Sequence, residues 1–207
     1  MQYYYKPAED YDDYCSHYCS YYPATVSGQE SLNMEKQELA AKVSAVSRLR
    51  GQFRLRSGAL ADEYFDKYRF ESDPEILSAV AKALALLIPP GTDGLAGLEL
   101  GGVPLATALS LQTGLPVRFV RKLAKDYGTC QLAEGGEVAG LRLVIVEDVV
   151  SCGGQILSSC AELRKLGAIV EDVVCVIDRQ AGGAAALAAA GLTLRPLFVK
   201  SDLEELP

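Results

Sequence analysis

The sequence predicts an α/β fold with a central, mainly parallel β-sheet flanked by helices. Two observations carry that expectation. From about residue 95 onward, short apolar runs alternate with helix-periodic ones, which is the pattern of βαβ units. The chain has 207 residues, 49% hydrophobic and 23% charged, enough for one α/β domain of ordinary size with a substantial core. A fibre, a collagen or a wholly disordered chain is thereby excluded.

Residues 1–33 differ in composition from the rest of the chain. Eight of the eleven tyrosines precede position 23, and five acids stand against one lysine in a segment with few aliphatic residues. Such a composition buries too little to offset the entropy of ordering, so a disordered tail or an expression leader is expected there, with Met34 as a second start. The domain proper is then 34–207. Within the first segment Cys15, His17 and Cys19 are three metal-ligand types without a fourth, an incomplete clip.

The elements can be placed in order. Leu39, Val43 and Val46, spaced by four and three, mark a first helix. FRLRSG (53–58) and EYFDKYRF (63–70) read as extended. Asp73 suits an N-cap and Pro74 a first helical position; Ile76, Val80, Ala83, Leu84 and Leu87 then share a face until Pro89-Pro90-Gly91 stops the helix. LAGLEL (95–100) reads as a strand, Pro104 to Thr113 as a helix stopped by Gly114, and PVRFV (116–120) and LRLVIV (141–146) as further strands. The polar, glycine-containing stretch 121–140 is long for a plain connection and suits a lid. A helix after residue 155 carries Ile156, Cys160, Leu163 and Leu166 on its apolar face.

Composition limits the function. A net charge of −7 disfavours a protein that coats nucleic acid or anionic membrane. No apolar run approaches the roughly 20 residues of a membrane span, and the acidic N-terminus is unlike a signal peptide, so a cytoplasmic chain with no membrane partner is expected. Cys152, Cys160 and Cys175 fall in a loop, a helix and a strand and read as free thiols.

The strongest signal is LVIVEDVVSCGGQ (143–155). A buried strand runs into Glu147 and Asp148, which places two carboxylates at the carboxyl end of a parallel sheet, where open α/β folds bind ligands. Ser151, Cys152, Gly153 and Gly154 come next, at a helix N-terminus, where free N–H groups and the helix dipole favour a phosphate. Acids that accept from vicinal hydroxyls beside a phosphate cradle suit a sugar phosphate; an acidic strand end with a ligand-free glycine turn is the bland alternative. The pattern is neither GxGxxG nor GxxxxGK[ST], which disfavours dinucleotide and P-loop sites.

This strand end and its Ser-Cys-Gly-Gly turn resemble the phosphoribosyl pyrophosphate motif of type I phosphoribosyltransferases. FRLRSG, YFDKYRFESDP, LELGGVPLA, VRKLAKDYGT, VIVEDVVSCGGQ and VCVIDRQ also occur in the order and approximate spacing of one branch, the orotate phosphoribosyltransferases, over about residues 50–200. The resemblance implies the type I fold with a small N-terminal hood. It implies transfer of ribose 5-phosphate from phosphoribosyl pyrophosphate to orotate in pyrimidine biosynthesis, giving orotidine 5′-monophosphate and pyrophosphate.

It also implies roles for residues. Glu147 and Asp148 would bind the ribose hydroxyls, and Val149, Val150, Ser151, Cys152, Gly153, Gly154 and Gln155 would wrap the 5′-phosphate. Arg121, Lys122 and Lys125 correspond to the cations on the leaving pyrophosphate, with Lys125 expected to have the largest catalytic effect, Asp126 beside it as an orienting acid, and Tyr127 where some members have His. Arg56 matches a basic residue near the pyrophosphate or orotate, Phe65 and Asp66 the pair along the orotate ring, and Arg179 the arginine at its carboxylate or carbonyls. For Phe65 core packing competes, and for Arg179 an ion pair with Asp178 or another acid. Gly101 and Gly102 would offer backbone N–H groups to pyrophosphate, in a loop where some members carry Tyr-Lys against this chain's Leu100-Gly101; Glu99 could assist a metal-bound water.

Mg²⁺ is expected to arrive on phosphoribosyl pyrophosphate, with no metal ligand from the protein itself. A homodimer is implied, with the 121–129 loop acting across subunits. The competing readings are a phosphoribosyltransferase for another base and a non-catalytic phosphoribosyl pyrophosphate-sensing regulator; the second lacks the basic surface it would need.

Overall fold

The computed structural model describes residues 36–54, 58, 60–123 and 131–204. The tyrosine-rich segment and its Cys15, His17 and Cys19 lie outside them, as do Arg56, Lys125, Asp126 and Tyr127. Helix α1 (Lys36–Ser47) leads into an antiparallel hairpin, β1 (Arg48–Arg54) and β2 (Leu60–Phe65). Two helices come next, α2 (Tyr68–Ser72) and α3 (Pro74–Ala85). This part is the small hood.

The rest alternates as expected: β3 (Gly94–Leu98), α4 (Gly102–Thr113), β4 (Val117–Val120), a short β5 (Ala133–Glu134), β6 (Arg142–Val150), α5 (Gly154–Lys165), β7 (Ile169–Asp178), α6 (Gly183–Ala189), β8 (Thr193–Val199) and α7 (Lys200–Glu204). The six-stranded sheet has the order β5-β4-β3-β6-β7-β8. Every pair is parallel except β4 with β5.

Strand β6 is the spine, paired on both sides, and its side chains alternate between two cores. Val144 and Val146 join Leu105 and Leu109 of α4 and Val80 and Leu84 of α3 on one face. Leu143 and Ile145 join Ile156, Cys160 and Leu163 of α5 and Leu187 of α6 on the other. Covering both faces leaves the strand ends as the place where polar groups can gather.

Several boundaries differ from the sequence reading. YRFES is helical, not extended: Asp66 Oδ1 accepts the Tyr68 N–H, and the turn drives Phe70 wholly into the core. Strand β3 stops at Leu98, two residues early, and α4 begins at Gly102 instead of Pro104. Strand β6 continues past Val146 through the two acids, because β7 is long enough to pair Val150 with Asp178. Leu166 falls after the last turn of α5 and is half exposed, so the apolar face of that helix ends at Leu163.

The caps behave as the residue types require. Asp73 is extended, and its Oδ1 accepts from the N–H groups of Glu75 and Ile76 at 3.0 Å, with Pro74 at the first helical position. Gly114 closes α4 in the left-handed conformation at φ 74°.

Candidate functional site

The site assembles at the carboxyl end of the sheet. Glu147 and Asp148 occupy consecutive positions near the end of β6 and are both buried, Asp148 completely. Glu147 Oε1 lies 3.4 Å from the Asp148 N–H, and Glu147 Oε2 has no hydrogen-bond partner among the described residues. Burial, reinforced by the adjacent Asp148, pushes the Glu147 carboxyl up to about 9. Asp148 Oδ1 accepts the N–H of Val149, while Oδ2 forms an ion pair with Lys67 Nζ at 2.5 Å.

The chain then turns through Ser151 and Cys152 into α5. Gly153 makes this turn with φ 77°, a left-handed conformation that glycine adopts freely. Cys152 is exposed and Ser151 half-buried, so backbone and hydroxyl face outward at the start of a three-turn helix. Gln155 lies in the first turn, where its Nε2 donates to Ser159 Oγ at 3.1 Å. Its side chain is held along the helix.

Gly101, from the loop between β3 and α4, approaches Asp148 closely. A Cβ on Gly101 would collide with the Asp148 carboxylate, and one on Gly102 with the Val146 carbonyl. Both glycines therefore permit the contact between this loop and β6. Glu99, in the same loop and joined to Leu100 by a cis peptide, accepts the Lys122 N–H at 3.0 Å through Oε2. That bond ties the start of the 121–140 stretch to the loop. Arg121 is half-buried and Lys122 exposed.

Beside the acids, a cavity of about 230 Å³ is walled by Phe65 of β2, Val149 of β6, Ile177 of β7 and Arg179 just beyond it. Phe65 and Arg179, far apart in sequence, thus line one cavity. The Arg179 N–H donates to the Val150 carbonyl, which fixes its Cα at the end of β6. Asp178 does not pair with Arg179: its Oδ1 accepts the Gln180 N–H instead. Phe65 is half-buried: it packs at the margin of the core and also lines the cavity. Asp66 lies next to the cavity wall, with its N–H donating to Ser47 O.

The sequence reading missed four participants. Arg48 and Lys200 line the same cavity, Arg48 with its Nη2 held 2.9 Å from Leu203 O. Lys67 and Glu71 converge on Asp148 from the two ends of α2. Glu71 is buried, and neither of its carboxyl oxygens has a hydrogen-bond partner among the described residues. Burial first, then repulsion from Asp148, raises it to about 8. For Lys67 burial opposes the charge, but the attraction of Asp148 and Glu147 outweighs it and the net shift is upward. The signal was present as Lys67 and Glu71 at i and i+4 around a buried Phe70, once YRFES is read as helix.

Comparison with known proteins gives the family. The phosphoribosyl transferase domain family matches residues 69–190. An orotate phosphoribosyltransferase of a Nocardioides species is 54% identical over 80% of this chain and 93% of its own length. One from Methanocella arvoryzae is 41% identical over 84% and 95%. The Mycobacterium tuberculosis orotate phosphoribosyltransferase, solved in complex with 5-phospho-α-D-ribosyl 1-diphosphate, superposes with a TM-score of 0.71 at 30% identity, covering 81% of this chain and 98% of that one. On sequence and on fold together, this chain belongs to the orotate phosphoribosyltransferases, within the phosphoribosyl transferase domain family.

Proposed function

We propose that the protein transfers the 5-phosphoribosyl group of phosphoribosyl pyrophosphate to orotate, forming orotidine 5′-monophosphate and pyrophosphate in pyrimidine biosynthesis. One observation carries the reading. In a chain 54% identical to an orotate phosphoribosyltransferase, the Phe65–Arg179 cavity is walled by Val149, which directly follows the Glu147-Asp148 pair on the strand that leads into the turn before α5.

Displacement occurs at the anomeric carbon with inversion and without a covalent enzyme intermediate. Glu147 and Asp148 accept hydrogen bonds from the ribose hydroxyls, which holds the sugar by the two carbons next to the reacting one. The N–H groups of 152–155 and the hydroxyl of Ser151 hold the 5′-phosphate. Phe65 lies along the orotate ring and Arg179 meets its carboxylate or carbonyls. Orotate enters as an anion, so no strong general base is required. Charge builds on pyrophosphate as it leaves; Arg121, Lys122 and Lys125, with Gly101 N–H, stabilise it most in the transition state.

The residues present fit Mg²⁺ carried by the diphosphate. Glu147 Oε2, without a hydrogen-bond partner among the described residues, would suit a hydrogen bond to water on the ion. When bound, the ion neutralises part of the diphosphate charge. The working unit is a homodimer in the cytoplasm, with the 121–129 loop reaching the partner's site; no helix among the described residues is long and apolar enough to cross a membrane.

The test mixes protein, Mg²⁺, phosphoribosyl pyrophosphate and orotate and tracks loss of orotate absorbance, with uracil and adenine in parallel. Consumption of orotate alone is expected. Consumption of another base moves the specificity elsewhere, and binding of phosphoribosyl pyrophosphate with no reaction of any base leaves the sensor reading standing.

A further inference from the structure

The loop Glu99-Leu100-Gly101-Gly102, which faces the departing diphosphate in the function proposed above, has no basic side chain of its own. Its Cα at Gly101 is pressed against the Asp148 carboxylate so tightly that no side chain fits. The cation at this point comes from the opposite wall. Lys67 extends from the start of α2, half-buried, and places Nζ on Asp148 Oδ2. Its ammonium also lies 5.3 Å from the Tyr68 ring centroid, and a third of the side chain is exposed.

We propose that Lys67 is a substrate-contacting cation that rests on Asp148 and passes to the phosphate oxygens of phosphoribosyl pyrophosphate when the ribose hydroxyls take over that carboxylate, with Glu71 as the positioning residue that sets how firmly Lys67 is held. This rests on the function proposed above. A diol that hydrogen-bonds to Asp148 competes with Lys67 for Oδ2. The displaced ammonium is then within one side-chain swing of the Gly101 loop, because Gly101 and Lys67 meet the same oxygen. Without this cation the Asp148 carboxylate would repel a highly anionic substrate.

The groups facing Lys67 are Glu147 and Asp148 from β6, Glu71 from α2, and Asp66, with the Tyr68 ring alongside. Cys175 of β7 lies behind Glu147 and Asp148, and its thiol is pushed up by burial and by these acids, so it stays neutral. Of the two acids raised by burial, Glu71 is the first to lose its proton as pH rises, at about 8 against about 9 for Glu147. While it is neutral, Lys67 answers to Asp148 alone; once it ionises, a further negative charge holds the ammonium in place and repels the substrate. The consequence is weaker substrate capture at alkaline pH.

The experiment uses the full chain with Lys67→Ala, Lys67→Arg and Glu71→Gln. It reads calorimetric binding of phosphoribosyl pyrophosphate with Mg²⁺, and KM for each substrate from pH 6.5 to 9. Lys67→Ala should raise Kd and KM for phosphoribosyl pyrophosphate at least about tenfold while KM for orotate stays within about twofold, and Lys67→Arg should restore most of the loss. In wild type, KM for phosphoribosyl pyrophosphate should climb above about pH 8, and Glu71→Gln should flatten that rise. Lys67→Met, which keeps the apolar stem, carries the same comparison if Ala costs the fold. Unchanged Kd in the folded Ala or Met variant overturns the inference alone, as does an equal rise in both KM values. A wild-type chain that does not bind phosphoribosyl pyrophosphate overturns both this and the function it rests on.

Discussion

Gly101 shows at the scale of one residue how an absent side chain can define a site. Its backbone dihedrals, φ −64° and ψ −29°, are open to any amino acid, so conformation does not demand glycine here; space does. Gly101→Ala sets a methyl group against the Asp148 carboxylate, and the acid must give way because the loop is packed from behind by Gly102 against the Val146 carbonyl. A shift of about 1 Å in a sugar-binding acid costs roughly a hundredfold in rate, so kcat/KM for phosphoribosyl pyrophosphate should fall by about that factor while the fold survives. A melting curve beside the kinetics separates this from simple unfolding. Glu71 and Glu147 make a second prediction, about stability. Their carboxyl groups are raised from the ordinary 4.5 to about 8 and about 9, so the folded protein binds protons that the unfolded chain has released. The stability they contribute is complete below about pH 4.5 and is lost as pH rises toward 8 and 9, at about 1.4 kcal/mol per unit for each group at most. Urea midpoints of wild type should therefore fall between pH 6 and 9, and Glu71→Gln, which is never charged, should fall less steeply.

Among the elements, α3 was readable because its signals are local. Asp73, Pro74 and a face repeating Ile76, Val80 and Leu84 lie within a dozen residues, and the structure shows the cap as two N–H bonds at 3.0 Å. Asp73→Ala should cost about 1 kcal/mol in a urea titration with little effect on KM, since no residue of the cap lines the cavity. The neighbouring α2 was not readable in this way. One turn of helix offers no period, and Tyr68 and Phe70 favour strands in isolation; what makes the segment helical is the burial of Phe70 among α1, α3 and the sheet. Strand β6 was under-read for the opposite reason. Polar Glu147 and Asp148 look like a strand end, yet pairing with β7 carries the ladder on to Val150. In both elements a long-range contact overrode the local pattern, and both lie at the site.

For the whole molecule, the sheet order brings together parts of the chain that sequence spacing keeps apart. Glu147, Asp148 and the glycine turn were legible because one strand-to-helix junction contains them all; Phe65 and Arg179 were legible only through the family resemblance, since no local pattern links β2 to the end of β7. Lys67 and Glu71 escaped both routes, because their partner Asp148 is reached only when α2 folds over the end of β6. The proposed homodimer extends the same logic beyond one chain. If the 121–129 loop serves the partner's acids, a protomer lacking the loop cation and one lacking the acid can complement each other. Lys125→Ala and Asp148→Asn should each be nearly inactive alone. After mixing in equal amounts with subunit exchange, half of the dimers are mixed and each of those holds one intact site, so activity should recover to about a quarter of wild type. A loop that serves its own protomer predicts no recovery at all, because every site then carries one of the two lesions. A titration of one variant into the other, assayed after exchange and checked by light scattering to confirm the dimer, decides between these two arrangements.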